Sequence, residues 1–467
     1  MLANRTVRPF APLVGVVRAM RRGTLIAIGI CLAASGSAVG QGQVPPSSEN
    51  VDDMISKVLE QDQATPQPGV SSPKPSALPV VMGARIGEHE DRTRFVVELS
   101  DPINLRSFTL NNPNRVVIDM PAVAWHLSGP PRPSGFGAVK SYRYGLFRPG
   151  NSRFVIDLNQ PVSVADALVI PPQDGYGYRV VIDLFPTTQA KFDQTAGWPA
   201  DLKARESAAE RVASLPPAPP TVLPHAVAKK VIVLDPGHGG IDSGTNGVNG
   251  LQEKDLVLDE AMRVARALQR RGDYTVHLTR DSDVYIPLGE RVSIGRSWHA
   301  DLFISLHADS NPDAGVSGAS VYTLSEKGSD KEAARLAREE NQSDVIAGVD
   351  LAGENSQVAP ILIDLAQRDT INRSSRFAQT VVTELSSATD ILSRQPHRSA
   401  AFVVLKAPDV PAVLIELGYL SNTEDAGQMN TSRWRDGVAE AIASAVDRHF
   451  APQAAVDPPG GPNGASE

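Results

Sequence analysis

The chain has 467 residues, enough for two or three domains of ordinary size. Its formal net charge is −8 and its sequence has no block of basic residues, which argues against nucleic acid as the main partner. The single cysteine excludes a disulfide framework and a cysteine-cluster metal site. Many of the 37 prolines lie in a few stretches, which predicts linkers or tails there.

The N-terminus is typical of a secretory signal peptide. Arginines precede an apolar run, Leu25–Ala34, that is too short to cross a bilayer as a helix. Small residues at its end predict a signal peptide of residues 1–40, and its removal leaves a periplasmic protein without a cysteine or a transmembrane segment. An uncleaved anchor is the alternative. The choice between the general and twin-arginine export routes, and between Met1 and Met20 as the start, stays open.

An internal repeat marks the domain that follows. The segment Arg94–Leu99 recurs as Arg153–Leu158, and Arg115–Met120 recurs as Arg179–Leu184. Runs of β-branched residues bounded by proline, glycine and asparagine predict strands. Two similar halves therefore predict an all-β sandwich over residues 80–186.

The duplicated pattern resembles the AMIN domain, a targeting module found ahead of cell-wall amidases. The resemblance implies that this domain binds peptidoglycan or the envelope at the division site. Aromatic and basic residues in Tyr142–Arg148 are suited to stacking on sugars and hydrogen bonding to them. The plainer alternative is that this segment forms strands with ordinary core aromatics.

Three segments outside the domains have the composition of connecting chain. Residues 41–79 are rich in proline, serine and glutamine and predict a flexible spacer. Residues 187–228 predict a linker, with a short polar helix near 201–212 and then a semi-rigid proline run. Residues 451–467 predict a disordered tail.

Residues 229–450 alternate strand and helix patterns, which predicts an α/β domain with an open, mainly parallel sheet and flanking helices. Three predicted strands run into polar residues, which are His238, His307 and Glu416. The strands are Val231–Leu234, Leu302–Leu306 and Ala412–Ile415. Because the carboxyl ends of parallel strands share one edge of a sheet, we expect these side chains to converge. Glu253, at the start of a predicted helix, lies beside the same edge.

Two histidines and two glutamates at one edge supply the parts of a zinc hydrolase. Imidazole and carboxylate suit Zn²⁺, and three protein ligands leave a position for water. A further carboxylate is then needed as general base. Each residue alone has a plainer explanation: His307 as a core histidine, Glu416 as a helix cap or arginine partner, and the glycine-rich loop around His238 as a phosphate loop. The joint pattern favours the metal site, and the sequence has no Gly-x-Ser-x-Gly elbow of a serine hydrolase.

The residues around these positions resemble the zinc-dependent N-acetylmuramoyl-L-alanine amidases of the cell-division type. The matching motifs are Val233–Gly240, Glu253–Lys254, Thr279–Asp281, Pro287–Leu288, Glu290–Arg291, Ser305–Asp309 and Glu416–Asn422. The resemblance implies that His238, Glu253 and His307 bind zinc and that Glu416 is the catalytic carboxylate. It also implies the bond that is cut, the amide between N-acetylmuramic acid and L-alanine of the peptidoglycan stem. Asp309 stands where the family often has asparagine.

A long segment within the α/β domain, at about 328–370, carries one more candidate. Lys331–Gln342 is rich in helix formers, and an apolar stripe on this helix continues to Glu340. The resemblance implies a segment here that covers the active site, with a glutamate reaching the zinc. We expect that residue to be Glu340, since Glu339 lies off the stripe; a capping or arginine-paired glutamate is the alternative. Such an enzyme needs an activator protein in the envelope to displace the segment.

Two other functions stay open at this point. One is a zinc peptidase of the same fold that acts on wall peptides, and the new amino terminus of the product separates it from an amidase. The other is a non-catalytic scaffold that binds the wall, which predicts undiminished biological function in Glu416→Ala.

Overall fold

The computed structural model describes residues 78–127, 136–173, 175–214, 229–349 and 360–451. The predicted signal peptide, most of the spacer, the proline run of the linker and nearly all of the tail lie outside the described residues. Within the described ranges, no helix is both long and apolar enough to span a bilayer.

The N-terminal domain is a sandwich of two sheets, as predicted. Its strands are β1 Val80–Glu88, β2 Thr93–Leu99, β3 Arg106–Leu110, β4 Arg115–Pro121, β5 Ala124–Trp125, β6 Val139–Arg148, β7 Asn151–Leu158, β8 Val162–Val164, β9 Leu168–Ile170 and β10 Tyr178–Pro186. One sheet has the order β5-β1-β2-β10-β8, with β9 also paired to β10, and the other has the order β3-β4-β7-β6. Buried side chains such as Phe95 and Phe154 fill the space between the two sheets.

The two copies of the sequence repeat pair with each other in both sheets. Of the two repeated strands in each copy, one lies in each sheet, so β2 of the first copy pairs with β10 of the second, and β4 pairs with β7. Arg94 donates from Nε and Nη2 to the carboxylate of Asp183, at 2.7 and 2.8 Å. The equivalent Arg153 donates in the same way to Asp119, at 2.6 and 2.9 Å. The two sheets therefore carry the same ion pair on their outer faces.

The structure favours the plainer alternative for Tyr142–Arg148. This segment belongs to the single strand β6, and Tyr142 and Tyr144 pack against Phe154 with ring centroids 6.1 and 5.6 Å apart. These two rings complete the sandwich core. The alternate residues Arg143 and Phe147 face the α/β domain instead.

The first part of the predicted linker is folded. It contains α1 Gln189–Thr195 and α2 Ala200–Ser214, which is longer than the short helix expected there. Phe192 is fully buried in the sandwich core, and Trp198 is 8% exposed. The difference arises because a few large apolar side chains anchor a segment whose average composition is polar.

The C-terminal domain has the predicted open, mainly parallel sheet. Its strands are β11 Lys230–Pro236, β12 Tyr274–Leu278, β13 Leu302–His307, β14 Ser320–Leu324, β15 His397–Ala400 and β16 Ala412–Glu416, in the order β12-β11-β13-β16-β14-β15. The first four in this order are parallel, and β14 runs antiparallel to β16.

Helices cover both faces of this sheet, because its central strands are buried on both sides. They are α3 Glu253–Arg271, α4 Leu288–Ser297, α5 Lys331–Glu340, α6 Ser343–Ile346, α7 Pro360–Leu385, α8 Thr423–Met429 and α9 Ser432–Phe450, with a 3₁₀ turn at Val403–Leu405. On one face, Ile232 and Leu234 pack with the buried sides of α3, α7 and α9. On the other face, Val233 and Phe303 pack with α4, α5 and the 3₁₀ turn.

Candidate active site

The carboxyl ends of β11, β13 and β16 lie side by side at one edge of the sheet. His307 is the last residue of β13 and pairs in register with Glu416, the last residue of β16. His238 follows β11 by two residues, and Glu253 is the first residue of α3. The sheet order thus brings together four residues that are up to 178 positions apart in the sequence.

The loop that carries His238 has an unusual backbone. His238 has φ of 56°, in the left-handed region that non-glycine residues rarely adopt, and Gly239 follows with φ of 121°. At Gly237, a Cβ atom would lie 2.3 Å from Cε1 of His307. Glycine is therefore required at 237 because the loop backbone lies directly against the second histidine ring.

Two ring nitrogens and two carboxylates surround one point. Glu253 Oε1 lies 3.2 Å from His238 Nε2 and 3.3 Å from His307 Nδ1. Glu340 Oε2 lies 3.1 Å from His307 Nδ1 and 3.6 Å from His238 Nε2. One ligand atom each from His238, His307 and Glu340 fall within 4.8 Å of one another, a group able to hold a metal ion.

The donor atoms suit a zinc ion. His238 Nε2 and His307 Nδ1 are buried, and neither has a hydrogen-bond partner among the described residues. Buried polar atoms of this kind normally have a partner, and two imidazoles with a carboxylate form a common zinc donor set. His238, His307 and Glu253 together fit such an ion.

Asp242 orients the first histidine and is not among the site residues predicted from the sequence. Its Oδ2 lies 2.9 Å from His238 Nδ1, which places the proton on Nδ1 and leaves the lone pair of Nε2 for a cation. The hydroxyl of Ser343 also donates to Asp242. A carboxylate four residues after a candidate ligand, in the same loop, was the signal available in the sequence.

The carboxylate of Glu253 is held in place from both sides. Its Oε1 accepts from the backbone N–H of Ala308 at 2.8 Å, and its Oε2 accepts from the N–H of Thr245 at 2.9 Å. A Cβ on Gly244 would lie 2.6 Å from Oε2, so the backbone closes the remaining space. Glu253 is therefore a rigid, fully buried group.

Glu416 is fully buried beside this cluster. Its Oε2 accepts from the N–H of Asp309 at 3.1 Å, and its Oε1 has no hydrogen-bond partner among the described residues. Burial raises the pKa of Glu416 well above its usual value, and the nearby carboxylates of Asp309 and Glu253 add to the effect. A carboxyl group with a raised pKa can both accept and return a proton near neutral pH.

Asp309 is a second carboxyl group of this kind, noted in the sequence only as a departure from the family. Burial, together with the charges of Glu340 and Glu253, raises the pKa of Asp309 to about 7. Its Oδ1 accepts from the hydroxyl of Thr245 at 2.9 Å.

The electrostatics favour a positive ion at the centre. Burial lowers the pKa of His238, but the charges of Glu253, Asp242 and Glu340 outweigh burial and leave that pKa well above its usual value. Burial also lowers the pKa of His307, but Glu340 and Glu253 together outweigh burial and raise that pKa above its usual value. The carboxylates thus stabilise positive charge between them, and a divalent cation supplies such charge.

The helix α5, called the blocking helix below, covers this cluster. Asp330 caps its N-terminus, and Ala333, Leu336 and Ala337 are buried against the face of the sheet that carries Val233 and Phe303. Glu340 ends the stripe at 8% exposure, whereas Glu339 is 46% exposed and pairs with Arg335.

The covered site has almost no free space. The cavity beside His238 and His307 has a volume of about 10 Å³, no more than the roughly 10–15 Å³ that one water molecule needs. Asn341 fastens the end of the blocking helix, since it donates to the carbonyl of Ala401 and accepts from the N–H of Val403, both at 2.9 Å.

Comparison with known proteins identifies both domains. The model of the N-acetylmuramoyl-L-alanine amidase family matches residues 232–448, and that of the AMIN domain matches residues 83–170. The amidase AmiC of Escherichia coli is 33% identical over 390 residues, which cover 82% of this chain and 92% of that protein. AmiC of Neisseria meningitidis is 34% identical over 379 residues, or 80% of this chain and 90% of that protein. This chain therefore belongs to the N-acetylmuramoyl-L-alanine amidases of the cell-division type.

Proposed function

We propose that this protein is an exported zinc amidase that cleaves septal peptidoglycan between N-acetylmuramic acid and L-alanine, and that the blocking helix inhibits it. The observation that carries the proposal is the meeting of His238 Nε2, His307 Nδ1 and the carboxylates of Glu253 and Glu340 around one point. The substrate is inferred from the family. Zinc binding and inhibition are inferred from these contacts.

In this proposal His238, Glu253 and His307 hold the zinc. The ion, when bound, polarises the amide carbonyl and lowers the pKa of a water molecule. Glu416 takes the proton of the attacking water on Oε1, which has no hydrogen-bond partner in the described ranges, and delivers it to the nitrogen of L-alanine. The N–H of Asp309 holds the other oxygen of Glu416, which keeps the acceptor aimed at the reaction.

Glu340 makes the described arrangement a resting state. Its carboxylate takes the position that water and substrate need, so the rate of hydrolysis follows the small fraction of molecules in which the blocking helix has moved away. We propose that an activator protein of the envelope binds the displaced form. The signal-like N-terminus and the peptidoglycan substrate together favour action in the periplasm, at the septum where amidases of this type divide the wall.

Product analysis tests the reaction. Purified peptidoglycan is incubated with zinc-loaded Glu340→Ala protein that begins at Gln41, and the products are identified by mass spectrometry. We expect free stem peptides that begin with L-alanine, together with glycan strands free of peptide. Adding Glu416→Ala to this variant removes both products.

The other outcomes have distinct meanings. New amino termini within the stem peptide would identify a zinc peptidase. Intact stems after incubation with the zinc-loaded Glu340→Ala protein would contradict either the assigned substrate or inhibition through Glu340.

A further inference from the structure

The outer face of the sheet β3-β4-β7-β6 lies against the segment that follows the blocking helix. Three arginines on this sheet, Arg115, Arg143 and Arg153, are called the arginine face below. They donate to the main-chain carbonyls of residues 345–348. The connection is direct, since α6 begins three residues after the blocking helix ends.

The contacts are made residue by residue. Arg115 donates to the carbonyl of Val345 at 2.8 Å, and Arg143 donates to the carbonyl of Ile346 at 2.5 Å. Arg153 Nη1 lies 3.0 and 3.1 Å from the carbonyls of Ala347 and Gly348. The indole N–H of Trp198, between α1 and α2, also donates to Gly348, at 3.2 Å.

The chemistry of this interface is that of a helix C-terminus. The last carbonyls of a helix have no partner within the helix and carry partial negative charge, so cationic donors stabilise them. Guanidinium groups form strong, charge-assisted hydrogen bonds with such acceptors. The arginine face is therefore suited to one kind of occupant, a polypeptide turn that presents several carbonyls.

The turn also fits the sheet by shape. Ala347 and Val349 are buried in one cluster with Val117 and Val155 of the sandwich. Gly348 has φ of 72°, and a Cβ there would lie 3.0 Å from Cγ2 of Val155. Glycine at this position lets the turn lie directly on the strands.

The same segment is fastened to the metal cluster from its other side. Ser343 donates to Asp242, the residue that orients His238. Asp344 accepts from the hydroxyl of Tyr285 at 2.6 Å and from the N–H of Leu288 at 3.1 Å. Residues 343–349 therefore lie between the sandwich and the site, and the end of the blocking helix depends on where they are held.

We propose that the arginine face is the binding surface for residues 345–349 and that this contact holds the blocking helix over the site. A ligand that occupies the arginine face then releases the helix, so the sandwich is part of the inhibitory device as well as a separate domain. The expected rise in the rate of peptidoglycan hydrolysis on release rests on the proposed function. The expected increase in the mobility of residues 331–349 does not.

The internal repeat offers a matched control. Arg94 binds Asp183 with the same two nitrogens that Arg153 uses for Asp119, but on the opposite sheet. Removing either arginine deletes an ion pair with the same geometry, which is partly exposed at Arg94 and buried at Arg153. Of the two substitutions, only Arg153→Ala also deletes hydrogen bonds to the carbonyls of Ala347 and Gly348.

Hydrogen–deuterium exchange of the full chain from Gln41 tests the proposal directly. In Arg153→Ala we expect exchange of residues 331–349 to accelerate about tenfold or more, the change expected when two charge-assisted hydrogen bonds are lost. In Arg94→Ala we expect exchange of this segment to be unchanged. Equal exchange of 331–349 in the two variants would overturn the proposal.

Two further variants keep the test decisive if Arg153→Ala fails to fold. Arg143→Ala removes a partly exposed arginine of this face, and Trp198→Phe removes the indole N–H that donates to Gly348. Each is expected to accelerate exchange of 331–349, and unchanged exchange in both would overturn the proposal.

Hydrolysis of peptidoglycan separates this proposal from the proposed function. Faster exchange with faster hydrolysis supports both. Faster exchange of 331–349 without faster hydrolysis supports the binding surface and contradicts inhibition by the blocking helix. Faster hydrolysis in Glu340→Ala, with unchanged exchange in Arg153→Ala, supports inhibition and overturns the role of the arginine face.

Discussion

Replacing Glu340 with glutamine should activate the enzyme while preserving the size of the side chain. The carboxylate of Glu340 is 8% exposed and lies 3.1 Å from His307 Nδ1, so the substitution removes a buried, charged contact of the closed state. We take such a charged contact to contribute as much as a hydrogen bond to a charged group does, about 1.5–3 kcal/mol. Because each 1.4 kcal/mol changes an equilibrium tenfold, the open fraction should rise roughly ten- to hundredfold.

The assay is the initial rate of dye release from labelled peptidoglycan by zinc-loaded protein. Glu339→Gln is the matched control, since Glu339 is the adjacent residue, is 46% exposed and pairs with Arg335 on the surface. Exposed pairs contribute only about 0–1 kcal/mol, so Glu339→Gln should change the rate less than about fivefold. A rate in Glu340→Gln equal to that of the unmodified protein, or equal activation by both variants, would refute the inhibitory contact.

Three more predictions concern the metal and the stability of the fold. Asp242→Asn should weaken zinc binding about 10- to 100-fold in a chelator competition, because a neutral amide replaces the charged acceptor that orients His238; an unchanged affinity would contradict that role. Removal of zinc by a chelator should lower the melting temperature and abolish hydrolysis, both restored by added zinc, because the ion binds the folded state alone. Glu260→Gln should stabilise the protein at pH 8 by about 1–3 kcal/mol, since burial raises the pKa of Glu260 well above its usual value and its carboxylate has no hydrogen-bond partner among the described residues. Because the pKa of Glu260 is higher in the folded than in the unfolded protein, the unmodified protein loses stability as the pH rises from about 4. Urea unfolding should therefore show no advantage of Glu260→Gln at pH 4. Equal stability of the two proteins at pH 8 would contradict the argument.

Strand ends and helix periodicity were the informative signals in this sequence. A strand that runs into His307 and another that runs into Glu416 predict one shared edge, and the parallel pairing of β13 with β16 brings them into register. The apolar stripe of the blocking helix likewise predicted which of two adjacent glutamates faces inward. Both signals depend on regular geometry, which the local sequence determines.

Contacts between domains depend on information that the local sequence does not contain. Arg94 and Arg153 occupy equivalent positions of the repeat and each binds an aspartate in the same way. Of the two, only Arg153 donates to the turn that follows the blocking helix. Nothing in either copy of the motif distinguishes them. The burial of Trp198 could not be predicted either, since the composition of its segment is that of a linker. Its burial depends on contacts with residues of the α/β domain.

The coordination of zinc in the intact chain tests the central claim most directly. X-ray absorption at the zinc edge should show two imidazole nitrogens and two carboxylate groups in the unmodified protein. In Glu340→Ala the two nitrogens should remain and one carboxylate should be replaced by water. Identical zinc environments in the two proteins, or an environment without two imidazoles, would contradict a metal site that the blocking helix closes with Glu340.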